Sequence, residues 1–338
     1  MAQDLLESGL LLMVFVGLGL LAAGFFVKDP RKHLLRIAGW ALFAIYWPFQ
    51  APHFFNDADP VNGYFALAAP LFLGYIAWHE WKSYQWKEDP HAMRWLTGTS
   101  VVAAASYFVI YRIPEATEAL IRFTAGQTSW MLAFLFGVES SIQPSIFEAG
   151  SWDVFLTGGG TEEYAVTIIL ACTAIQSIMI FVGAIASLER SPRRNRLLAY
   201  AITVPVIYFL NLFRNSGIVF AYKVWDFPAW FKGGWDAIGQ PISCLMGTCF
   251  PIGELGTQAR FEFMHSVLGK GGSLVALIVI ALGVFMLLPE LHNNILDLFD
   301  LRKRNRKGFY DPPPPPGPAD PPASAPPAPP AAAKPEEA

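Results

Sequence analysis

Three polar side chains stand inside long apolar runs of the sequence and are the first candidates for chemistry. Cys172 lies in IILACTAIQSIMIF, Arg214 in IYFLNLFRNSGIVF, and His265 at the head of FMHSVLGKGGSLVALIVIALGVF. An ionisable side chain inside a membrane span costs about 2.5 to 3.5 kcal/mol on insertion scales, so such residues usually serve a function.

Acyl transfer from a peptide bond needs a nucleophile, a proton carrier and a cation where oxyanion charge develops. We assign Cys172 as the nucleophile that forms an acyl-thioester and Arg214 as the group that stabilises the thiolate and the oxyanion. His265 is then the proton donor and acceptor. A thiol in apolar surroundings is a poor nucleophile unless a cation lies close, so this assignment requires the three side chains to meet.

Each of these residues also has a simpler interpretation. A lone Cys in a transmembrane helix is usually a small packing residue. An Arg in the outer third of a span can extend to the lipid headgroups, and a His at a helix start can be an interfacial residue. The three simple interpretations would have to hold independently of one another, whereas a single catalytic site at one depth in the membrane accounts for all three residues.

The composition indicates a membrane protein. The apolar fraction is 54% and the charged fraction is 15%, against about 25% charged residues in an ordinary soluble domain. The net charge of -3 gives no indication of a nucleic-acid partner. The first apolar run lacks the basic start and the cleavage site of a signal peptide, so it is interpreted as a retained helix.

Hydropathy predicts an all-α, polytopic bundle of about seven transmembrane helices. The spans are expected near 7–27, 37–53, 61–79, 95–113, 165–188, 197–222 and 266–288. Basic residues concentrate in the first, third and fifth loops and after the last span, and short basic loops stay cytoplasmic. The alternation places the N-terminus outside and the C-terminus in the cytoplasm.

This topology brings the three polar residues to a similar depth. Cys172 is expected about 10 Å below the outer boundary at 1.5 Å per residue. Arg214 lies near the outer end of the sixth span, and His265 opens the seventh span from outside. The predicted active site therefore lies near the external face of the cell membrane.

Two long external connections, 114–164 and 223–264, cover the outer ends of the last three spans, where a lid or a substrate groove belongs. The apolar stretch TSWMLAFLFGVES in the first is too short to cross and is interpreted as an interfacial or re-entrant helix. Cys244 and Cys249 in the second could close a disulfide if the exterior is oxidising, and a metal site would need ligands not evident nearby. Cys172 is then the thiol without a partner.

The organisation predicted along the chain is a transmembrane catalytic domain over 1–300 and a tail over 301–338. The tail begins with basic residues and continues as a Pro/Ala-rich segment, DPPPPPGPADPPASAPPAPPAAAKPEEA. Such a composition cannot bury a core, so a disordered, extended cytoplasmic segment is expected.

Three stretches carry a resemblance to a known family. They are ACTAIQSIMIFVG around Cys172, ITVPVIYFLNLFRNSGIVFAY with Arg214, and the closing helix that His265 leads and that ends in LPEL. Together they resemble the exosortase/archaeosortase family, and its archaeosortase A branch most. The resemblance is concentrated in residues 165–225 and 265–291.

The resemblance implies an integral membrane cysteine transpeptidase of the thiol protease type. Such enzymes process exported surface glycoproteins that end in a tripartite signal: a PGF-like motif, an apolar helix and a basic tail. The new C-terminus is transferred to a membrane lipid, here expected to be a phospholipid. Position by position, the catalytic residues match Cys172, Arg214 and His265, with Arg260 as the alternate third residue because the family can place an Arg there. Neither a cofactor nor a metal is expected.

Three alternatives remain open from the residues alone: a hydrolytic protease, a transporter or channel, and a structural scaffold. A cysteine protease that acts by hydrolysis only would differ in whether water or lipid resolves the acyl-enzyme. A transporter would also place Arg and His within a bundle, but internal repeats or broken helices in matching halves would be expected. A non-enzymatic membrane scaffold would tolerate Cys172→Ala with no loss beyond packing.

Overall fold

The computed structural model describes residues 2–56, 60–158, 160–225, 261, 264, 265 and 269–299. Most of these residues are helical, and the sequence of elements is interrupted once by strands. The helices are α1 (Ala2–Phe26), α2 (Lys32–Asn56), α3 (Pro60–Trp86), α4 (His91–Tyr111), α5 (Pro114–Phe136), α6 (Ile175–Ala186), α7 (Arg193–Lys223), α8 (Lys270–Leu287) and α9 (Pro289–Phe299).

Within the described part of the chain, three helices are long and apolar enough to cross a membrane. Their spanning segments are Gly9–Phe26 in α1, Arg193–Ala221 in α7 and Lys270–Leu287 in α8. A fourth candidate is the pair α4 and α5, which are bent by 91° at the break between them. The expectation of a helical membrane protein is confirmed, while the count of seven spans and the orientation of the termini stay predictions.

A three-stranded antiparallel sheet departs from the all-α prediction. Its strands are β1 (Ser140–Pro144), β2 (Trp152–Gly158) and β3 (Thr161–Ile168), in the order β1-β2-β3. The predicted span over 165–188 is therefore wrong as a continuous helix, since it begins in β3 and passes through a 3₁₀ turn at Leu170–Thr173 before α6. Hydropathy counts apolar residues but does not separate a short buried strand from the first turn of a helix.

The apolar stretch within 128–140 forms the second half of α5. Pro114 lies in the first turn of α5, where its missing N–H costs no helical hydrogen bond. One face of α5 is buried, with Ile121, Ala125 and Leu132 packed in a cluster with residues of β2, β3 and α7. The bend of 91° from α4 agrees with an interfacial or re-entrant course, although the helix is longer than the sequence suggested.

A buried charge cluster ties the first three helices together. Arg36 donates from Nε to the carbonyl oxygen of Gly24 at 3.0 Å and from Nη1 to Asp89 Oδ1 at 3.2 Å and Glu80 Oε1 at 3.5 Å. Arg36 and Glu80 are fully buried. Buried charges are tolerated when they are paired and hydrogen-bonded, so this cluster fixes α1, α2 and α3.

Glu290, at the start of α9, is a second point at which one side chain joins several elements. Its carboxylate accepts hydrogen bonds from His91 Nε2 at 2.8 Å, from the Ser191 hydroxyl at 2.7 Å and from the backbone N–H groups of Glu189 and Arg190 at 3.0 Å. One side chain thereby joins α9 to the connection between α6 and α7 and to the start of α4.

Replacing Glu290 by Gln is expected to lower the free energy of unfolding by about 2 kcal/mol, because hydrogen bonds to a charged acceptor each contribute about 1.5 to 3 kcal/mol. Burial alone would raise the pKa of Glu290, but the bonds from His91, Ser191 and the two backbone groups outweigh it, and the pKa is lowered. The stabilisation is thus present above the ordinary Glu pKa of about 4.3 and is lost as the pH falls through the lower folded-state pKa.

The measurement is the melting temperature in detergent as a function of pH. Glu189→Gln is the matched control, since Glu189 pairs with Arg94 at the surface, and exposed pairs contribute about 0 to 1 kcal/mol. Equal melting temperatures for the Glu290 and Glu189 variants would contradict the role given to Glu290.

Candidate active site

Cys172 lies in a sharp turn between a strand and a helix. β3 ends at Ile168, the 3₁₀ turn follows, and α6 begins at Ile175. Between turn and helix, Ala174 has φ 61°, in the left-handed region that residues other than glycine rarely adopt. Such a conformation persists where the surroundings hold it, and it is concentrated at functional sites. The turn presents the thiol just ahead of the N-terminus of α6.

Two amides on α7 hold the backbone of this turn. Asn211 Nδ2 and Asn215 Nδ2 donate to the carbonyl oxygen of Cys172 at 2.7 and 2.9 Å. Asn211 and Asn215 are four residues apart, so they lie on one face of α7. Sequence analysis did not single them out, although the spacing of Asn211, Arg214 and Asn215 within an apolar helix is visible in LNLFRN.

Arg214 lies between Asn211 and Asn215, the two α7 residues that bond to the Cys172 carbonyl, and it is close enough for electrostatic attraction to a Cys172 thiolate. Its Nε is buried and has no hydrogen-bond partner among the residues that the structure describes. On its other side, a Cβ atom added to Gly269 would lie 3.1 Å from this Nε, so the start of α8 packs closely against the guanidinium. A buried donor without a partner costs about 1 to 3 kcal/mol, which an oxyanion would recover on binding.

His265 lies in the segment that leads to α8. Its ring stacks on Phe261 with the ring centroids 5.3 Å apart. Phe261 and Met264 pack against the same hydrophobic cluster as Cys172. The structure therefore brings Cys172 and Arg214 together and places His265 in an adjoining segment. The alternate residue Arg260, and Cys244 and Cys249, lie outside the described residues.

One acidic side chain, Glu148, also interacts electrostatically with Cys172. Glu148, in the loop between β1 and β2, is close enough for electrostatic repulsion of a Cys172 thiolate. From the sequence it was only one of several acidic residues in a long external connection. No group of three or more His, Cys, Asp or Glu side chains that could hold a metal ion occurs in the described part of the chain.

The arrangement can support nucleophilic attack followed by stabilisation of an oxyanion. The backbone of Cys172 is fixed through its carbonyl, and among the residues that the structure describes the buried Arg214 Nε–H has no acceptor. Preorganised donors of this kind stabilise the tetrahedral intermediate of acyl transfer because they need no reorganisation during the reaction.

Comparison with known proteins identifies the family of the chain. The family model described as transmembrane exosortase matches residues 18–250. Archaeosortase A of Haloferax volcanii is 27% identical over 301 residues, which cover 85% of this chain and 92% of the relative. Archaeosortase A of Natronomonas pharaonis is 27% identical over 276 residues, 78% of this chain and 80% of the relative. No solved structure matches the chain significantly.

The matched region contains Cys172, Arg214 and both Asn residues that hold the turn, and it ends before His265 and Arg260. The resemblance read from the sequence is thereby confirmed over more than half of the chain. This protein belongs to the transmembrane exosortase family.

Proposed function

We propose that the chain is a membrane cysteine transpeptidase that removes the C-terminal sorting signal of exported surface proteins and transfers the new C-terminus to a phospholipid. The observation that carries the proposal is the unpartnered Arg214 Nε beside Cys172. Family membership supports a processing enzyme of the sorting type. The PGF-like signal and the lipid acceptor follow from the resemblance to archaeosortase A.

In the first step the Cys172 thiol gives its proton to His265 as the sulfur attacks the carbonyl carbon of the scissile bond, and the carbonyl π electrons move to oxygen. Arg214 donates to the resulting oxyanion from Nε. When the intermediate collapses, the C–N bond breaks and the leaving amine takes a proton. His265 supplies that proton, with Arg260 as the alternate third residue. The product is a thioester on Cys172 and a released C-terminal helix.

In the second step an acceptor resolves the thioester. A lipid headgroup nucleophile attacks the thioester carbonyl and gives its proton to His265. The intermediate then collapses, the C–S bond breaks, and Cys172 leaves as a thiolate stabilised by Arg214. Water in the same position would give a free carboxylate. The chemistry of the site is compatible with either lipid or water as acceptor. The two acceptors give different products, so the product identifies the acceptor. A lipid is favoured because α7, which carries Arg214, is one of the helices able to cross a membrane.

The test uses the full chain reconstituted in phospholipid vesicles with a substrate that ends in a PGF-like motif, an apolar helix and a basic tail. The expected product has lost the helix and gained the mass of one lipid. In water enriched in ¹⁸O, a product that carries the heavy isotope and no lipid would establish the hydrolytic protease instead. Absence of cleavage with a substrate known to be processed in the source cells would favour a scaffold.

A further inference from the structure

The β1–β2 loop and the Cys172 turn leave the sheet from the same end. Trp152, at the start of β2, pairs with Pro144 at the end of β1 and with Ile168 at the end of β3. Residues 145–151, here named the tip loop, therefore lie next to the segment that runs through Cys172 into α6. The electrostatic interaction between Glu148 and Cys172 is consistent with that placement.

The tip loop exposes two large apolar side chains. Ile146 is 86% exposed and Phe147 is 69% exposed. Among the described residues, Met286 at 85% on α8 and Leu71 at 79% on α3 are exposed to a similar degree. Contiguous exposed apolar patches mark sites of interaction with proteins or membranes.

The loop holds these side chains in a defined conformation. The Ser145 hydroxyl accepts from the backbone N–H groups of Phe147 at 3.1 Å and Glu148 at 3.4 Å. The Ser145 N–H donates to the Ser151 carbonyl at 2.9 Å, which closes the base of the loop. Phe147 also contacts the ring of Tyr164 on β3, with centroids 5.4 Å apart. A loop fixed in this way loses little conformational freedom when it binds.

The opposite end of the sheet is polar. There, β2 and β3 are joined by a short connection that includes Gly160, and exposed Glu162 and Glu163 follow in β3. Glu162 accepts hydrogen bonds from Ser141 and Gln143 across the sheet, both at 2.9 Å. The sheet thus has an acidic end, suited to water, and an apolar end.

The path of the chain after β3 indicates what the apolar end of the sheet contacts. β3 leads through the Cys172 turn directly into α6, a helix made almost entirely of apolar residues. The end of the sheet that carries Ile146 and Phe147 is therefore the end from which the chain enters the apolar part of the bundle. Apolar side chains at the boundary of an apolar bundle are expected to lie in the interface of the bilayer.

We propose that the tip loop is a membrane-contacting element that inserts Ile146 and Phe147 into the lipid interface beside Cys172. The partner is the lipid surface, and the insertion holds the sheet upright with its acidic end in water. The proposal depends on the membrane location of the chain and not on the reaction proposed above.

The test places a benzophenone amino acid at Phe147 in the full chain, in phospholipid vesicles without substrate. The matched control carries it at Glu162, at the acidic end of the same sheet. After illumination, mass spectrometry is expected to find lipid adducts many times more often at 147 than at 162. Equal lipid labelling at the two positions would overturn the proposal.

Labelling at 147 that falls mainly on a second copy of the chain would equally overturn it and make the loop a protein contact. Repeating the experiment at Ile146 protects against a label that disturbs the contact of Phe147 with Tyr164. Because no cleavage is measured, a failure here leaves the proposed reaction untouched, and an inactive enzyme still reports the position of its loop.

Discussion

Cys172→Ser is expected to stop release of a substrate's C-terminal helix completely while the protein stays inserted and folded. A hydroxyl is nearly isosteric with a thiol but is far less ionised at neutral pH, and the thiolate is the nucleophile. The hydrogen bonds from Asn211 and Asn215 go to the backbone carbonyl of residue 172, so the turn keeps its support in the variant. Cleavage is followed by the shift in substrate mass, and folding by the melting temperature.

The matched control replaces Cys244 and Cys249 together. Their loss is expected to cost stability at most, since neither is assigned to the reaction. Full processing of the substrate by the Cys172→Ser protein would end the assignment of the nucleophile.

Arg214→Lys is expected to lower turnover by about 10² to 10³, equivalent to about 2.7 to 4 kcal/mol for loss of one oxyanion donor. Lys keeps the charge, but it lacks the planar guanidinium whose Nε–H lies buried beside Cys172. Arg122→Lys is the matched control, because Arg122 contacts only the face of the Trp152 ring among the contacts described for it, and near-normal turnover is expected. An Arg214→Lys enzyme with normal turnover would show that the Arg214 guanidinium does not act as a directed oxyanion donor.

The role of the third catalytic residue can be distinguished from that of Arg214 by its effect on the reactivity of the Cys172 thiol. A proton carrier is needed to expel the amine but less to stabilise the thiolate, so His265→Gln should give a pH-dependent cleavage defect and still react with an alkylating probe at Cys172. Near-normal turnover of this variant together with an inactive Arg260→Ala would move the role to Arg260. Lost probe labelling in His265→Gln, with labelling retained in Arg214→Ala, would reverse the two roles.

The sequence predicted that Cys172 and Arg214 lie at a similar depth, but it could not predict that their segments are in contact. The depth of Cys172 was counted at 1.5 Å per residue along a helix from residue 165, whereas the chain there runs through β3 and a 3₁₀ turn. What holds the turn could not be predicted either. The hydrogen bonds from Asn211 and Asn215 depend on the rotation of α7 about its axis, which hydropathy does not report.

The sheet was missed for a different reason. TEEYAVTI contains β-branched and aromatic residues typical of a strand, but it runs without a break into the apolar residues of α6. Strand pairing joins residues that are distant in sequence, such as Trp152 and Ile168, and no local pattern shows those partners. Arg36 illustrates the same difficulty. It falls in the basic loop predicted between the first two spans, but the structure buries it and pairs it with Glu80 and Asp89.

The two amide hydrogen bonds to Cys172 couple the nucleophile to the position of α7. They arise from the helix that also carries Arg214, so a rotation of α7 about its axis would break both bonds and move the guanidinium at the same time. A side chain at residue 269 would crowd the Arg214 Nε. We therefore expect the alignment of nucleophile and cation to be set by one helix rather than by two independent elements.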